Sequence, residues 1–342
     1  MPRKSELSFL NIVFCILVIF IHISSAPITG LSKDSWQFCV FFVPWRLSSF
    51  VVQGFIFLSG LKMFLNEKEV SYKNYYIQRF FKIVIPYILA VIAYYVYFID
   101  RNYFQFSIKD LISYILKGDL VAHFYFIIAI VQFYLLKPVW DIVVNKVSPK
   151  IVIPLSIILM FTCKYMLSAY WYNDRLFTSY LAYWIMGCYA GKYYKYFLSN
   201  VKRCSKIYLV AFVIIATLEA VISYTHFVYG GMSFLEELHF LYCIVAVLFV
   251  FLLAIKYADK IMSWKIAREF DNASYYIYLI HILIMLFINE FIVKWNITDI
   301  GVSFVIRGIV TYFVATFISI TYMETKKKIK RKIKCRSLEK QR

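Results

Sequence analysis

Two polar residues lie inside the first apolar segment of the chain, which runs from Leu7 to Ser25 without a formal charge. Asn11 and His22 are 11 positions apart, and at about 100° per residue this spacing places both side chains within roughly 20° on one helix face. A segment of this length can cross a hydrocarbon core of about 30 Å. A polar group at that depth normally faces a bundle interior or a wet cavity, which makes His22 a candidate functional residue. The alternative is a histidine that only hydrogen-bonds a neighbouring helix.

A second histidine lies within a later apolar segment, DNASYYIYLIHILIMLFINEF. Its spacing predicts that Ser274, Tyr278 and His281 share one helix face, because they are four and three residues apart. His123 lies at the outer end of another predicted span, where a boundary histidine is usually solvated. His281 is thus the second imidazole expected well inside the membrane.

Charged residues suggest two further sites. Arg79 and Lys82 are three residues apart where a helix enters the membrane, and guanidinium groups match phosphate oxygens. The alternative is ordinary anchoring by positive charge on the inner side. Glu236, Glu237 and nearby His239 could bind a sugar or a metal ion on the outer side, or form a solvated loop.

The composition excludes a soluble domain, because 62% of the 342 residues are hydrophobic. The seven cysteines show no CxxC or Cys/His spacing, so neither a disulfide framework nor a zinc site is predicted. A net charge of +19 could suggest nucleic acid. In a membrane chain, however, basic residues collect on the cytoplasmic side during insertion, so no nucleic-acid partner is expected.

The sequence predicts an all-α integral membrane protein, a bundle of about ten transmembrane helices with both termini cytoplasmic. We expect a multi-pass protein of the cell membrane, with a transmembrane domain at residues 1–325 and a basic cytoplasmic tail at 326–342 that is attracted to anionic membrane lipids. The predicted spans are 7–25, 46–65, 82–100, 121–143, 151–169, 177–195, 207–225, 237–256, 270–292 and 302–323.

Two local patterns refine this topology. The aromatic stretch from Trp36 to Trp45, interrupted by Pro44, is interpreted as a re-entrant or interfacial piece. Gly187 and Gly191 form a GxxxG pair, which predicts close helix packing.

Six segments together resemble the acyltransferase-3 family of bacterial membrane proteins, which O-acetylate cell-surface polysaccharides and related glycans. They cover nearly the whole chain in the family's order. The segments are the first helix ending at His22, FIFLSG (55–60), YIQRFFKIVIPY (76–87), HFYFIIAIVQFYLLKPV (123–139), YWIMGCYAG (183–191) and SYYIYLIHILI (274–284). The chain departs from the family at Asn11, where arginine is common. An amide cannot hold an anion by charge, so the departure suggests a divergent donor or acceptor, or a lost activity.

The resemblance implies an O-acetyltransferase that takes an acyl group from acyl-CoA, most simply acetyl-CoA, and transfers it to a hydroxyl of a surface polysaccharide or lipid-linked glycan. His22 is then the general base or an acyl relay, and His281 and His123 support it.

For the donor, the same resemblance places Arg79 and Lys82 at the CoA phosphates and Asn11 at the donor side of the site. Two other functions fit the sequence. A polysaccharide exporter or flippase would use polar groups at depth to line a path, and a scaffold or sensor with an inactive site would fit the asparagine at position 11.

Overall fold

The computed structural model describes residues 4–65, 71–231 and 234–339, with side chains up to residue 329, and its regular structure in these ranges is helical. The fifteen α-helices of these ranges are α1 (Ser5–Gly30), α2 (Trp36–Ser48), α3 (Val51–Leu65), α4 (Tyr72–Arg79), α5 (Ile85–Asp100), α6 (Ile108–Lys117), α7 (Tyr125–Leu135), α8 (Lys137–Lys146), α9 (Pro149–Met166), α10 (Leu181–Lys192), α11 (Tyr194–Arg203), α12 (Ser205–Tyr229), α13 (Leu235–Ser263), α14 (Lys265–Lys294) and α15 (Ile300–Glu339).

The helices form two compact units. The first unit combines the chain up to Val51 with the chain from Cys204 onward, and the second is Val52–Arg203. In the first unit α1 packs against α2, α13, α14 and α15. α15 runs antiparallel to α1, because the Tyr312 hydroxyl donates to the Ile16 carbonyl at 2.8 Å while Phe304, nearer the start of α15, contacts Phe20.

Glycines bring two helices of the second unit into backbone contact. A Cβ atom on Gly187 would overlap the carbonyl oxygen of Phe57, and one on Gly191 would overlap that of Leu61. From the other side, a Cβ on Gly60 would lie 2.6 Å from the carbonyl oxygen of Trp184. Small residues permit this approach, and close packing is a main source of helix association in lipid. The predicted tight packing at the GxxxG pair is therefore confirmed between α3 and α10.

Eight helices within the described ranges are long and apolar enough to cross a membrane, and a ninth span results if one bent pair counts as a single crossing. The structure thus shows a multi-pass membrane protein. The predicted span 177–195 corresponds to α10, which has only 12 residues and does not meet that length. The predicted span 121–143 is divided, because α7 ends at Leu135 and α8 begins at Lys137.

Helix also occurs outside the predicted spans. α2 continues through Pro44 to Ser48, so the break after the aromatic stretch comes at residues 49–50 and not at the proline. Residues 36–65 together qualify as one candidate span. The predicted outer loop at 101–120 contains α6, which Gly118 ends in a left-handed conformation with φ 64°. α6 bends by 51° into the helical segment 122–135 that follows it.

The predicted division into a transmembrane domain at residues 1–325 and a basic tail at 326–342 stays a prediction. α15 continues without interruption from Ile300 to Glu339, so residues 326–339 of the predicted tail are helical.

We expect Gly187→Ala to lower the free energy of unfolding by about 1–3 kcal/mol, because the added methyl group must displace the backbone of α3. The measurement is unfolding in detergent. The matched control is Gly308→Ala, since a Cβ at that helical position would meet only the flexible Cδ1 of Ile23 at 3.7 Å. Equal stability of the two variants would contradict the packing account.

Candidate functional site

Two imidazoles from different helices meet in the first unit. His22 on α1 and His281 on α14 have ring centroids 5.1 Å apart and ring planes inclined by 45°. His281 is fully buried and His22 is half-buried. The structure therefore brings together the two histidines that the sequence placed deep in the membrane, which lie 259 residues apart in the chain.

The backbone of α14 fixes the proton on His281. Its Nδ1 lies 2.7 Å from the carbonyl oxygen of Tyr278. Because a carbonyl oxygen only accepts, Nδ1 of the neutral ring carries the hydrogen and donates it, and Nε2 carries the lone pair. The Tyr278 ring lies beside the same imidazole, with centroids 5.9 Å apart. His281 is thus held in one tautomer and one orientation.

Asn11 joins the same two helices about one and a half turns of α14 before Tyr278. Its Nδ2 donates to the Asp271 carboxylate at 2.8 Å and to the Ser274 hydroxyl at 2.6 Å. The Ser274 hydroxyl in turn donates to the Asp271 carbonyl at 2.9 Å. Asn11 and His22 therefore both turn toward α14, as their spacing predicted, and α1 and α14 run in the same direction.

This arrangement limits what Asn11 can offer a ligand. An amide nitrogen has two hydrogens, and both are engaged by Asp271 and Ser274. Toward a donor substrate Asn11 presents only its carbonyl oxygen, which suits an N–H or O–H group and not a phosphate. Its assignment to the donor site stays a prediction with that restriction.

The predicted phosphate ligands belong to the second unit. The Arg79 guanidinium lies over two tyrosine rings, 5.2 Å from the centroid of Tyr75 and 4.6 Å from that of Tyr134. Residues 80–84 form a π-helical segment directly after it, a local widening that often occurs at functional sites. Lys82 lies in this segment and is exposed. The π turn alters the α-helical spacing on which their shared face was predicted.

His123, also in the second unit, is not the solvated boundary residue that its position suggested. Its side chain is only 3% exposed. The ring contacts those of Phe124 and Tyr94, with centroids 4.4 and 6.0 Å away. The predicted span 121–143 has His123 at its outer end. In the structure this end is a bend followed by a short 3₁₀ turn, which buries His123.

Sequence reasoning missed a buried ionic cluster in the first unit. His239 was grouped with Glu236 and Glu237, but its Nδ1 lies 2.8 Å from Oε1 of Glu219 on α12. Arg46 on α2 donates through Nε to the same oxygen at 2.8 Å. A charged residue inside an apolar segment costs free energy and usually marks a functional site. Arg46 and Glu219 are such residues, and they could have indicated this cluster from the sequence.

The cluster has the order of a nucleophile, a base and an orienting carboxylate, because the Cys243 Sγ atom lies 3.4 Å from Nε2 of His239. Cys243 is completely buried, however, and a buried thiol in apolar surroundings is inert. Glu219 and Cys243 contact different nitrogens of the His239 ring, so the three side chains do not converge on one point where a metal ion could bind. Among the residues whose positions are described, no three His, Cys, Asp or Glu side chains could hold a metal ion.

Apolar spans and a pair of oriented imidazoles define a multi-pass membrane protein with a candidate acid–base centre. A family model for an acyltransferase domain matches residues 5–324. The chain therefore belongs to the acyltransferase-3 family, as the resemblance indicated.

Two similar proteins come from Staphylococcus aureus, and both are named as a probable poly-beta-1,6-N-acetyl-D-glucosamine export protein. The protein of strain MRSA252 is 26% identical over 306 residues, which covers 82% of each chain. The protein of strain N315 is 26% identical over 310 residues, again 82% of each chain. No solved structure matches the chain.

We expect Asn11→Leu to lower the free energy of unfolding in detergent by about 1–2 kcal/mol, because it removes the amide that donates to Asp271 and Ser274. Asn272→Leu is the matched control, since that asparagine is exposed one residue after Asp271. Equal stability of Asn11→Leu and Asn272→Leu would contradict the assigned contact.

Proposed function

We propose that this protein is a membrane O-acyltransferase that moves an acyl group, most simply acetyl, from cytoplasmic acyl-CoA to a hydroxyl of a cell-surface or lipid-linked glycan. The family supplies the acyltransferase class. The observation that supports the assignment of the site is the contact between His22 and His281, with His281 fixed by the Tyr278 carbonyl.

A hydroxyl is a weak nucleophile near neutral pH, so its proton must leave as the oxygen attacks the thioester carbonyl. His22 is half-buried and accepts this proton as general base, which contributes about 10²–10⁴-fold to the rate. The neighbouring His281 ring stabilises the resulting imidazolium through the lone pair on Nε2. The C–S bond then breaks, the ester forms, and the thiolate of CoA takes the proton from His22.

A relay through His22 uses the same groups. The imidazole first attacks the thioester and releases CoA, and the acyl-histidine then transfers its acyl group to the glycan hydroxyl. Rapid acid quenching with mass spectrometry of the peptide containing His22 separates the two routes, because only the relay leaves an acyl mass on that peptide in the absence of acceptor.

The donor half of the proposal places CoA phosphates at Arg79 and Lys82. The local surroundings of Arg79 support this role, since two tyrosine faces hold its guanidinium and stacking leaves the N–H groups at the rim for oxygen ligands. Lys137 nearby is paired with Asp141, whereas no carboxylate of the described residues pairs with Arg79. His123 keeps its predicted supporting role.

Export of a polysaccharide is the second candidate, and the names of the two Staphylococcus relatives favour it. An exporter needs polar groups along a path, and does not need a base of defined tautomer. The two functions separate at His22, because only the transferase requires its lone pair.

We expect His22→Ala to reduce acyl incorporation into glycan by at least about 100-fold, since the general base is lost. Mass spectrometry of surface glycans from cells carrying the variant measures the acyl mass, and the amount of exported glycan is measured in parallel. His226→Ala, at the end of α12, is the matched histidine control and should retain full acylation. Normal acylation by His22→Ala would refute the transferase mechanism, and lost export with normal acylation would favour the exporter.

We expect Arg79→Gln to raise the KM for acetyl-CoA about tenfold or more with a smaller change in kcat, because a charge-assisted hydrogen bond to phosphate is lost. Arg101→Gln is the control, since Arg101 pairs with Asp100 in the same unit. Acetyl-CoA should also raise the thermal unfolding midpoint of the wild type and raise it less in Arg79→Gln. Identical KM values and midpoint shifts in both variants would exclude Arg79 from the donor site.

A further inference from the structure

Arg307, in a membrane-spanning helix of the first unit, has no carboxylate partner among the described residues. Arg307 lies seven residues after the start of α15, inside a candidate span, and is half-buried. Its Nε donates to Oδ1 of Asn289 at 2.7 Å and its Nη1 donates to the Ser303 hydroxyl at 2.9 Å. Both partners are neutral, and no carboxylate of the described residues pairs with it.

Arg46 shows that a spanning helix of this unit can pair its arginine with a carboxylate. Arg46 lies in another candidate span of the same unit and is neutralised by Glu219. Arg307 instead donates to the amide oxygen of Asn289, which orients the guanidinium without neutralising its charge. A charge at such depth is expensive and usually marks a ligand or ion site.

The packing of α15 places Arg307 near the part of α1 that carries His22. A Cβ atom on Gly308 would lie 3.7 Å from Cδ1 of Ile23, which directly follows His22. One turn earlier, the rings of Phe304 and Phe20 are in contact, with centroids 6.4 Å apart. α15 therefore carries the guanidinium beside the part of α1 that carries the proposed base.

Along α14, Arg307 lies to one side of the pair formed by His22 and His281. Asn289 follows His281 by eight residues, about 12 Å of helix. On the other side of His281, Tyr276 accepts a hydrogen bond of 2.7 Å from Lys326, where α15 continues toward the basic tail. Arg307 thus lies on the side of the imidazole pair that faces away from the tail, and the proposed function assigns that side to the glycan acceptor.

We propose that Arg307 binds a carboxylate or phosphate group carried by the acceptor glycan, with Asn289 and Ser303 orienting the guanidinium. Arginine has five N–H donors, and the two bonds in the structure use Nε and Nη1. The Nη2 hydrogens are available for an anion, in the forked geometry that guanidinium groups use for such oxygens. The site thereby selects acidic acceptors over neutral ones. This inference rests on the proposed function in identifying the ligand as the acceptor.

The sharpest variant is Asn289→Asp, because it supplies a carboxylate in place of the amide oxygen and neutralises Arg307 without removing it. Arg307→Gln removes the charge, and Arg307→Lys restores charge without the fork. Ser303→Ala removes one orienting bond only. The unfolding midpoint of each purified full-length variant shows whether it is folded.

The probes are a neutral hexose tetrasaccharide and the same tetrasaccharide carrying one uronic acid, each titrated calorimetrically into protein in detergent. The titrations use the His22→Ala background without acyl donor, so that binding is measured independently of turnover. We expect tighter binding of the acidic probe by about tenfold, lost in Asn289→Asp and Arg307→Gln and partly restored in Arg307→Lys. An unchanged preference in the folded Asn289→Asp and Arg307→Gln variants overturns the proposal.

A short-chain anionic phospholipid is the third probe, because a lipid headgroup offers the same phosphate chemistry. Binding of this lipid that depends on Arg307, without any preference for the acidic tetrasaccharide, identifies the cation as a lipid site and also overturns the proposal. Retention of acylation by His22→Ala in cells refutes the transferase and leaves the calorimetric result on Arg307 standing, so the two failures are distinguishable.

Discussion

The hydrogen bonds from the Asn11 amide to α14 set the register of two helices, and the imidazole pair depends on that register. Apolar surfaces gain little by contact inside a bilayer, because lipid tails are equally apolar. A polar contact therefore discriminates between one helix position and the next. A slip of one turn would move α1 by about 5.4 Å, which would break the bonds to Asp271 and Ser274 and separate His22 from His281.

The same asparagine explains how the chain keeps this geometry without the arginine common in its family. Arginine facing Asp271 would form an ion pair, whereas the uncharged amide only donates a hydrogen bond to the carboxylate and engages its second hydrogen at Ser274. The structural part of the position is thus preserved while its capacity to hold an anion is not. Positive charge in this unit occurs elsewhere near the pair, at Arg307 on α15.

The sequence predicted features that depend on helix periodicity and failed where distant helices had to be paired. Ser274, Tyr278 and His281 share a buried face because a continuous helix of 30 residues preserves their spacing. The partner of His239 could not be predicted, because Glu219 lies on another helix. His239 was instead grouped with the acidic residues nearest to it in the chain, Glu236 and Glu237. Bends such as the one between α6 and α7 leave no periodic signal, so the predicted span at 121–143 was wrong in its limits.

The direction of two helices constrains the number of crossings more tightly than hydropathy does. Because α1 and α14 run in the same direction, an odd number of crossings must separate them. Five of the eight candidate spans in the described ranges lie between them, and the uncertain crossings are the bent segment 108–135 and α10. If the five candidate spans between them all cross, the parallel direction of α1 and α14 requires that the bent segment and α10 either both cross or both do not. The cytoplasmic position of both termini stays a prediction from the distribution of Lys and Arg along the chain.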